Sequence, residues 1–224
     1  SFLTDTYNIQ DIREVKHTLI RSWIVSLVEA SIDNRSVNRK LTTLKSYYKF
    51  LLKEGVLTQN PMLKIQAPKN SKKLPLFVEN KPMELLFNKV DFGTGFGAYR
   101  DRLILELFYC TGMRLSELVN IKDKDINFHE LNLKVLGKRN KERLIPFGNP
   151  LKKQMQEYLE LRGKQAFSKH QDYFFATDKG VKIYDKFVYR LVTKYLGAVT
   201  SLDKKSPHVL RHTFATHMLY NGAD

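Results

Sequence analysis

The apolar positions of this chain recur mostly at the three- and four-residue spacing of an amphipathic helix. In the first part of the chain this spacing predicts helices over Ile9–Ala30 and Asn34–Lys53. The same spacing predicts the later helices Pro82–Val90, Tyr99–Cys110, Pro150–Gly163, Tyr184–Leu196 and Pro207–Asn221. The pattern therefore indicates a mainly α-helical protein.

Three short segments depart from the helical spacing and alternate like strands. They are Asp125–Phe128, Leu131–Val135 and Arg143–Phe147, and a turn that begins at Gly137 joins the last two. We expect a small three-stranded antiparallel sheet there. The glycine-rich stretch Phe92–Gly97 follows no strand pattern and lacks the Lys-Ser/Thr ending of a nucleotide-binding loop, so it is predicted to be a flexible connection.

A proline- and lysine-rich segment near residue 70 has no periodicity. Ala67–Pro75 contains two prolines and four lysines or serines without an apolar repeat, which is typical of a linker between domains. We therefore predict a helical domain over 1–66, a linker over 67–78 and a second domain over 79–224.

Charge narrows the range of partners. Lys and Arg number 38 against 23 Asp and Glu, a net charge of +15, while 42% of residues are hydrophobic, as in a folded protein. This surplus of positive charge favours a polyanion as binding partner, either nucleic acid or an anionic membrane surface. The chain has one cysteine, no apolar run long enough to span a membrane and no signal-peptide pattern at its start, so we expect a cytoplasmic protein that is neither exported nor membrane-spanning.

The predicted helix Asn34–Lys53 contains no acidic residue. Its cations within an arc of about 120° are Arg35, Arg39, Lys45, Lys49 and Lys53. The opposite face is apolar. A merely solvated face usually intersperses both signs, so we favour contact with phosphates. A membrane-surface role ranks last, because no helix lines Trp or Phe opposite its lysines.

The last predicted helix begins with Ser206 as N-cap and Pro207 at its first position. His208 and Arg211 are three residues apart and project from one face of its first turn. Arg suits phosphate oxygens and His can transfer a proton near neutral pH. Taken alone, a His-x-x-Arg pair is common by chance and is better explained as a capped histidine and a helix-end cation.

Three histidines on the same predicted helix raise a zinc hypothesis. His208 and His212 are four residues apart and His217 follows. No glutamate lies between the first two, and adjacent Arg211 would repel a dication. We therefore expect no metal site.

Two further segments place cations at predicted junctions. Arg114 follows a helix end at Gly112, and Glu117 three residues later either forms a structural ion pair with it or orients it as a phosphate clamp. The turn between the last two strands is either a solvated tip or a site at which Lys138 enters a groove and protonates a leaving alkoxide.

Taken together, the three segments Thr111–Leu118, Gly137–Pro146 and Ser206–His217 resemble motifs of the tyrosine recombinases, particularly the Xer type. The resemblance extends over nearly the whole chain. It implies a mainly α fold with a small three-stranded antiparallel sheet and two domains. These would be a helical core-binding (SAM-like) domain and a tyrosine-recombinase catalytic domain.

The resemblance also implies cleavage and rejoining of duplex DNA through a 3′-phosphotyrosyl intermediate, with no metal or other cofactor. Arg114 and Arg211 would then clamp the scissile phosphate. Lys138 would be the general acid for the leaving oxygen, and His208 would assist proton transfer at the nucleophile. Glu117 would support Arg114.

Further DNA-binding residues follow from charge and position. They are Arg139 and Lys141 in the hairpin turn, together with the five cations of the helix Asn34–Lys53. The implied partner is a specific recombination site bound by a tetramer of this protein or of it and a paralogue. Resolution of chromosome dimers and integration or excision of a mobile element both stay open.

The chain departs from the family pattern at its ends. Family members place a second His or Trp and the nucleophilic tyrosine well beyond the His-x-x-Arg motif, whereas only 13 residues follow Arg211 here. Tyr220 is expected to be a packing residue, the nucleophile is expected to be absent, and the family's first helix is not seen. We expect a fragment that binds DNA without cutting it. The alternative is a DNA-binding protein of the same fold that never cuts.

Overall fold

The computed structural model describes residues 2–71, 75–137, 141–167 and 172–223. The chain divides into two compact units, Ser1–Lys73 and Leu74–Asp224. The division falls inside the segment 67–78 that was predicted to be a linker. The start of this segment is attached to the first unit, because the Asn34 and Asn38 side chains donate hydrogen bonds to the carbonyl oxygens of Lys69 and Pro68.

The first unit is helical. Its helices are α1 (Phe2–Tyr7), α2 (His17–Glu29) and α3 (Asn34–Lys53), with short 3-10 turns at Ile12–Glu14 and Pro61–Lys64. The bounds predicted for α3 are confirmed, and the Asp33 side chain caps this helix by accepting a hydrogen bond from the Arg35 N–H. The buried core residues are Val15, Ile20, Val37, Leu41, Tyr48, Leu51, Met62 and Ile65.

The single helix predicted over Ile9–Ala30 is wrong at its start, because α2 begins only at His17. Asn8 has a positive φ of 52°, and the Asp11 side chain accepts a hydrogen bond from the Arg13 N–H. Asn and Asp side chains bond readily to nearby backbone and so favour turns. Local turn formation therefore overrides the helical spacing in this segment.

The second unit combines helices with one sheet. Its helices are α4 (Asn80–Asn88), α5 (Gly95–Thr111), α6 (Leu115–Val119), α7 (Asn149–Gly163), α8 (Asp185–Gly197) and α9 (Pro207–Tyr220). The strands β1 (Ile126–Asn127), β2 (Asn132–Leu136) and β3 (Glu142–Pro146) form an antiparallel sheet in the order β1-β2-β3. The predicted fold class, mainly α with a three-stranded antiparallel sheet, is confirmed.

Helix α5 is the centre of the second unit. Leu103, Ile104, Leu105, Leu107 and Phe108 are all buried, and the helix packs against both α7 and α9. An apolar run on every side is typical of a helix enclosed by others. In the described parts of the chain, no helix is long and apolar enough to cross a membrane.

The glycine-rich stretch Phe92–Gly97 is partly helical, whereas the sequence predicts a flexible connection. Its second half is the first turn of α5, which begins at Gly95 with φ at +85°. Phe96 is buried and stacks on Tyr158 with ring centroids 5.5 Å apart. Burial of this aromatic ring fixes a segment that sequence composition alone assigns to a flexible connection.

Phe77 and Val78, near the start of the second unit, pack against α9. The buried Val78 N–H donates to the Thr213 hydroxyl oxygen at 2.9 Å. Nearby, the Phe77 ring meets the rings of His217 and Tyr220 edge-on. Tyr220 is nevertheless 74% exposed, so it contributes little to packing, contrary to the role predicted for it.

Gly112 gives a test of the α5–α9 packing. It ends α5 in the left-handed region at φ +56°, and a Cβ there would overlap the Phe214 ring of α9. We expect Gly112→Ala to lower the free energy of unfolding by about 2–4 kcal/mol, since backbone strain and overpacking add. Chemical denaturation measures this loss.

The matched control is Gly95→Ala in the same helix. Gly95 also has a positive φ, of +85°, but nothing lies within 4 Å of its added Cβ. This variant should lose only about 1 kcal/mol, the backbone part alone. Equal losses in the two variants would show that the Phe214 ring moves aside and that close packing is not the constraint.

Candidate active site

The junction between α5 and α6 places Arg114 at a helix N-terminus. Arg114 is the N-cap of α6 in an extended conformation, and Glu117 is its third helical residue. The Glu117 Oε2 atom accepts a hydrogen bond of 2.6 Å from the Arg114 backbone N–H. This is the carboxylate half of a capping box, so a local sequence signal fixes the position of Glu117.

The Glu117 carboxylate also binds two guanidinium groups. Its side chain is fully buried, and its oxygens lie 2.9 Å from Arg114 Nη1 and 2.9 Å from Arg143 Nη2. Burial raises the pKa of Glu117, but the hydrogen bonds from Arg143 and Arg114 outweigh it and hold the pKa below the ordinary value. Glu117 is therefore ionised at neutral pH and orients both arginines.

Arg211 adds a third guanidinium group near Arg114, Arg143 and Glu117. It is half-buried in the first turns of α9, and its Nη1 donates to the Gly112 carbonyl oxygen. Burial lowers the pKa of Arg211, and the positive charges of Arg114 and Arg143 lower it further. Arginine stays protonated even so. Three cations thus face one carboxylate, and the surplus charge favours an anion.

His208 lies on the same face of α9 as Arg211. Its side chain is exposed, and Pro207 precedes it at the first helical position. Ser206 is the N-cap as predicted, but within the described part of the chain its side chain makes no capping hydrogen bond. His208 and Arg211 therefore share the N-terminal end of α9.

The base of the β2–β3 hairpin lies beside Arg114. The Gly137 N–H donates to the Lys141 carbonyl oxygen at 2.7 Å, and a Cβ on Gly137 would lie 3.8 Å from Arg114 Nη1. The exposed Lys141 is described. The predicted general acid Lys138 and the predicted DNA-binding residue Arg139 lie outside the described residues.

Two contributions to the site were missed by the sequence analysis: the Arg143 side chain and the Gly112 carbonyl oxygen. Strand alternation does indicate the position of Arg143: it is two residues from the buried Ile145 and so lies on the same face of β3. No local sequence pattern indicates that the Gly112 carbonyl oxygen contributes to the site. Its partner Arg211 is 99 residues away along the chain.

The first unit presents a separate cationic surface on α3. The five predicted DNA-binding residues there are all exposed: Arg35, Arg39, Lys45, Lys49 and Lys53. Among the described residues, none of them forms an ion pair with a carboxylate. Val37, Leu41, Tyr48 and Leu51 are buried on the opposite side. The helix therefore has the division into apolar and cationic faces that its spacing predicts.

Comparison with protein families gives two matches. Residues 77–224 match the model described as the phage integrase family. Residues 1–55 match the model described as the N-terminal SAM-like domain of phage integrase. These matches confirm the predicted pairing of a SAM-like helical domain with a catalytic domain.

Curated relatives are similar over the same range. A tyrosine recombinase XerC of Chlorobaculum tepidum is 35% identical over 252 residues, covering 100% of this chain and 74% of the relative. XerC of Staphylococcus carnosus is 40% identical over 204 residues, covering 91% of this chain and 68% of the relative.

Solved structures share the fold. XerH bound to a palindromic difH substrate in a post-cleavage complex has a TM-score of 0.80 at 19% identity, covering 100% of this chain and 66% of that one. The Tn1549 transposon integrase in complex with circular intermediate DNA has a TM-score of 0.75 at 18% identity, with 100% and 78% coverage.

The buried carboxylate predicts a pH-dependent loss of stability. Glu117→Gln removes the charge that neutralises two arginines, so we expect a loss of about 3 kcal/mol near pH 7. Because folding lowers the pKa of Glu117 from 4.5, its contribution is present above that value and disappears as pH falls through the folded pKa. The difference between the two proteins should therefore narrow below pH 4.5 in denaturation experiments.

The control is Glu142→Gln, which removes a carboxylate that is 60% exposed and paired with Lys134. A surface pair of this kind contributes less than about 1 kcal/mol. A loss at Glu117 no greater than that at Glu142, or one that does not change with pH, would contradict the role assigned to the buried carboxylate.

Proposed function

The chain belongs to the phage integrase family, and we propose that it binds duplex DNA at a specific recombination site and provides the active site for cutting and rejoining the strands. The supporting observation is the convergence of Arg114, Arg143 and Arg211 around the buried Glu117. The chemistry is transesterification at a phosphodiester. The attacking group is a tyrosine, which gives a 3′-phosphotyrosyl intermediate.

In this proposal the scissile phosphate lies between Arg114 and Arg211. Negative charge grows on its non-bridging oxygens in the transition state, and two guanidinium groups held in advance stabilise that charge. Glu117 fixes Arg114, and the Gly112 carbonyl oxygen fixes Arg211. Both arginines are thus oriented before DNA arrives, so little reorganisation is needed.

Proton transfer falls to two further residues. Lys138 follows Gly137 directly in the sequence, and Gly137 lies beside Arg114. We assign Lys138 the role of general acid for the 5′ leaving oxygen. His208, exposed on the α9 face that carries Arg211, assists proton transfer at the nucleophile.

Tyr220 does not fit the role of the nucleophile. It is nine residues beyond Arg211 on the same helix, which corresponds to about 13 Å along the axis and the opposite face. Its ring meets Phe77 rather than the arginines. We therefore propose that a tyrosine other than Tyr220 attacks the phosphate.

The exposed cations of α3, with Lys141 and Arg139, are proposed to contact DNA phosphates outside the reacting position. The proteins of similar fold include XerH bound to a palindromic difH substrate and the Tn1549 transposon integrase in complex with circular intermediate DNA. We propose that this protein likewise acts as a multimer on DNA, alone or with a paralogue. A chromosomal and a mobile-element role both fit the site.

The first test separates catalysis from binding. Arg114→Ala and Arg211→Ala, made in a recombinase that combines this site with a tyrosine nucleophile, should each slow single-turnover cleavage by about 100-fold or more. Affinity for the duplex should fall by less than about tenfold, because each arginine acts mainly on the transition state.

Arg102→Ala is the matched control, since Arg102 is a similarly exposed arginine of α5 that pairs with Glu106. It should change neither cleavage nor affinity appreciably. Equal losses of cleavage and affinity in the Arg114 and Arg211 variants would make these residues ordinary phosphate contacts and favour a DNA-binding protein that never cuts.

The second test concerns the nucleophile. Incubated with a nicked suicide duplex that carries the recognition site, this 224-residue chain should bind but form no covalent adduct on a denaturing gel. Tyr220→Phe should bind equally well. A covalent band that disappears in Tyr220→Phe would identify Tyr220 as the nucleophile and refute the geometric argument.

A further inference from the structure

Four hydrogen bonds meet at the buried Glu117 carboxylate. Its Oε1 atom accepts one from Arg114 Nη1 at 2.9 Å and one from Arg143 Nε at 3.3 Å. Its Oε2 atom accepts one from the Arg114 backbone N–H at 2.6 Å and one from Arg143 Nη2 at 2.9 Å. A carboxylate offers about four lone-pair positions, so these four donors use the whole accepting capacity of Glu117.

The two guanidinium groups share this carboxylate unequally. Arg143 binds it at two points, through Nε and Nη2, in the fork arrangement that matches a carboxylate. Arg114 binds it through Nη1 alone, and among the described residues its Nε and Nη2 atoms donate no hydrogen bond. The Arg114 side chain is also 46% exposed. Arg114 therefore keeps donors that are available to an anion.

The sheet holds Arg143 in place. Arg143 lies opposite Val135 of β2 in the antiparallel register, and Ile145 two residues further on is buried. The two-point bond to Glu117 therefore starts from a strand whose backbone is paired. Arg114, in contrast, lies at a helix junction as the N-cap of α6.

Loss of Arg143 would leave two acceptor positions of a buried carboxylate empty. A buried charge that lacks its hydrogen bonds is costly, so the carboxylate would attract any donor within reach. Arg114 already contacts Glu117 and has unused donors. A two-point bond from Arg114 to Glu117 would then use the donors that are now available to an anion.

We propose that Arg143 is a positioning residue for the reaction. By occupying two acceptor positions of Glu117, it keeps the Arg114 guanidinium bonded at one point and available to the scissile phosphate. This inference rests on the proposed function, in which Arg114 clamps that phosphate. Arg143 acts through Arg114 and needs no contact with DNA. The role requires an arginine, because a lysine ammonium lacks the planar fork that reaches both oxygens.

A double-mutant cycle tests this role in a recombinase that combines this site with a tyrosine nucleophile. Arg143→Gln should slow single-turnover cleavage by about 10- to 100-fold, the effect expected when a catalytic group is misplaced by about 1 Å. Affinity for the duplex should fall by less than about tenfold. In the Arg114→Ala background the same substitution should cost less than about threefold further, because the residue through which it acts is absent.

Arg143→Lys separates geometry from charge. It keeps a positive charge beside Glu117 and so protects the fold, which thermal melting checks in every variant. We expect its cleavage rate to lie within about threefold of that of Arg143→Gln, because the two-point bond is lost in both. A normal cleavage rate in folded Arg143→Lys would show that charge alone suffices and would overturn the inference.

Arg102→Gln is the matched control. The Arg102 side chain is 44% exposed, close to the 39% of Arg143, and it pairs with the Glu106 carboxylate, which is 12% exposed. This variant also removes an arginine from a largely buried carboxylate, but on a part of α5 that has no proposed role in the reaction. Its cleavage rate should be unchanged.

The outcomes separate the two proposals. Normal cleavage in Arg114→Ala would contradict the proposed function itself. Slow cleavage in Arg114→Ala with a normal rate in Arg143→Gln would overturn only the role of Arg143. Losses that multiply in the double variant would show that Arg143 acts independently of Arg114, and would also overturn it. A loss in Arg143→Gln and Arg143→Lys that disappears in the Arg114→Ala background supports both proposals.

Discussion

The second unit depends on the neutralisation of one buried carboxylate. The Glu117 side chain is fully buried, so its charge must be neutralised mainly by protein groups. The Glu117 carboxylate accepts hydrogen bonds from the Arg114 backbone N–H and from the side chains of Arg114 and Arg143. These bonds join the start of α6 to β3, so helix capping, sheet attachment and the orientation of the anion site have one common cause.

Much of the fold was predictable because it follows from short-range patterns. The bounds of α3 follow from helical spacing and the Asp33 cap, and the sheet follows from alternation and turn residues. The predictions fail where another local or tertiary effect is stronger. Turn-forming side chains delay the start of α2, and burial of Phe96 orders a glycine-rich stretch.

The candidate site was predictable only in part, because only some of its contacts join residues that are close in the sequence. Arg114 and Glu117 are three residues apart, so a capping pattern reveals their contact. Arg143 and Glu117 are 26 residues apart, and Arg211 and Gly112 are 99 apart. Contacts at such separations depend on how α5, α9 and the sheet pack, and spacing along the chain contains little of that information.

The surplus of guanidinium charge also links folding to occupancy. In the free protein the repulsion felt by Arg211 from Arg114 and Arg143 opposes the folded arrangement. An anion that enters relieves this repulsion and binds only the folded state, so by mass action it shifts the folding equilibrium toward the native form. Occupancy by an anion therefore raises the free energy of unfolding, and thermal denaturation becomes an indicator of whether the site is filled.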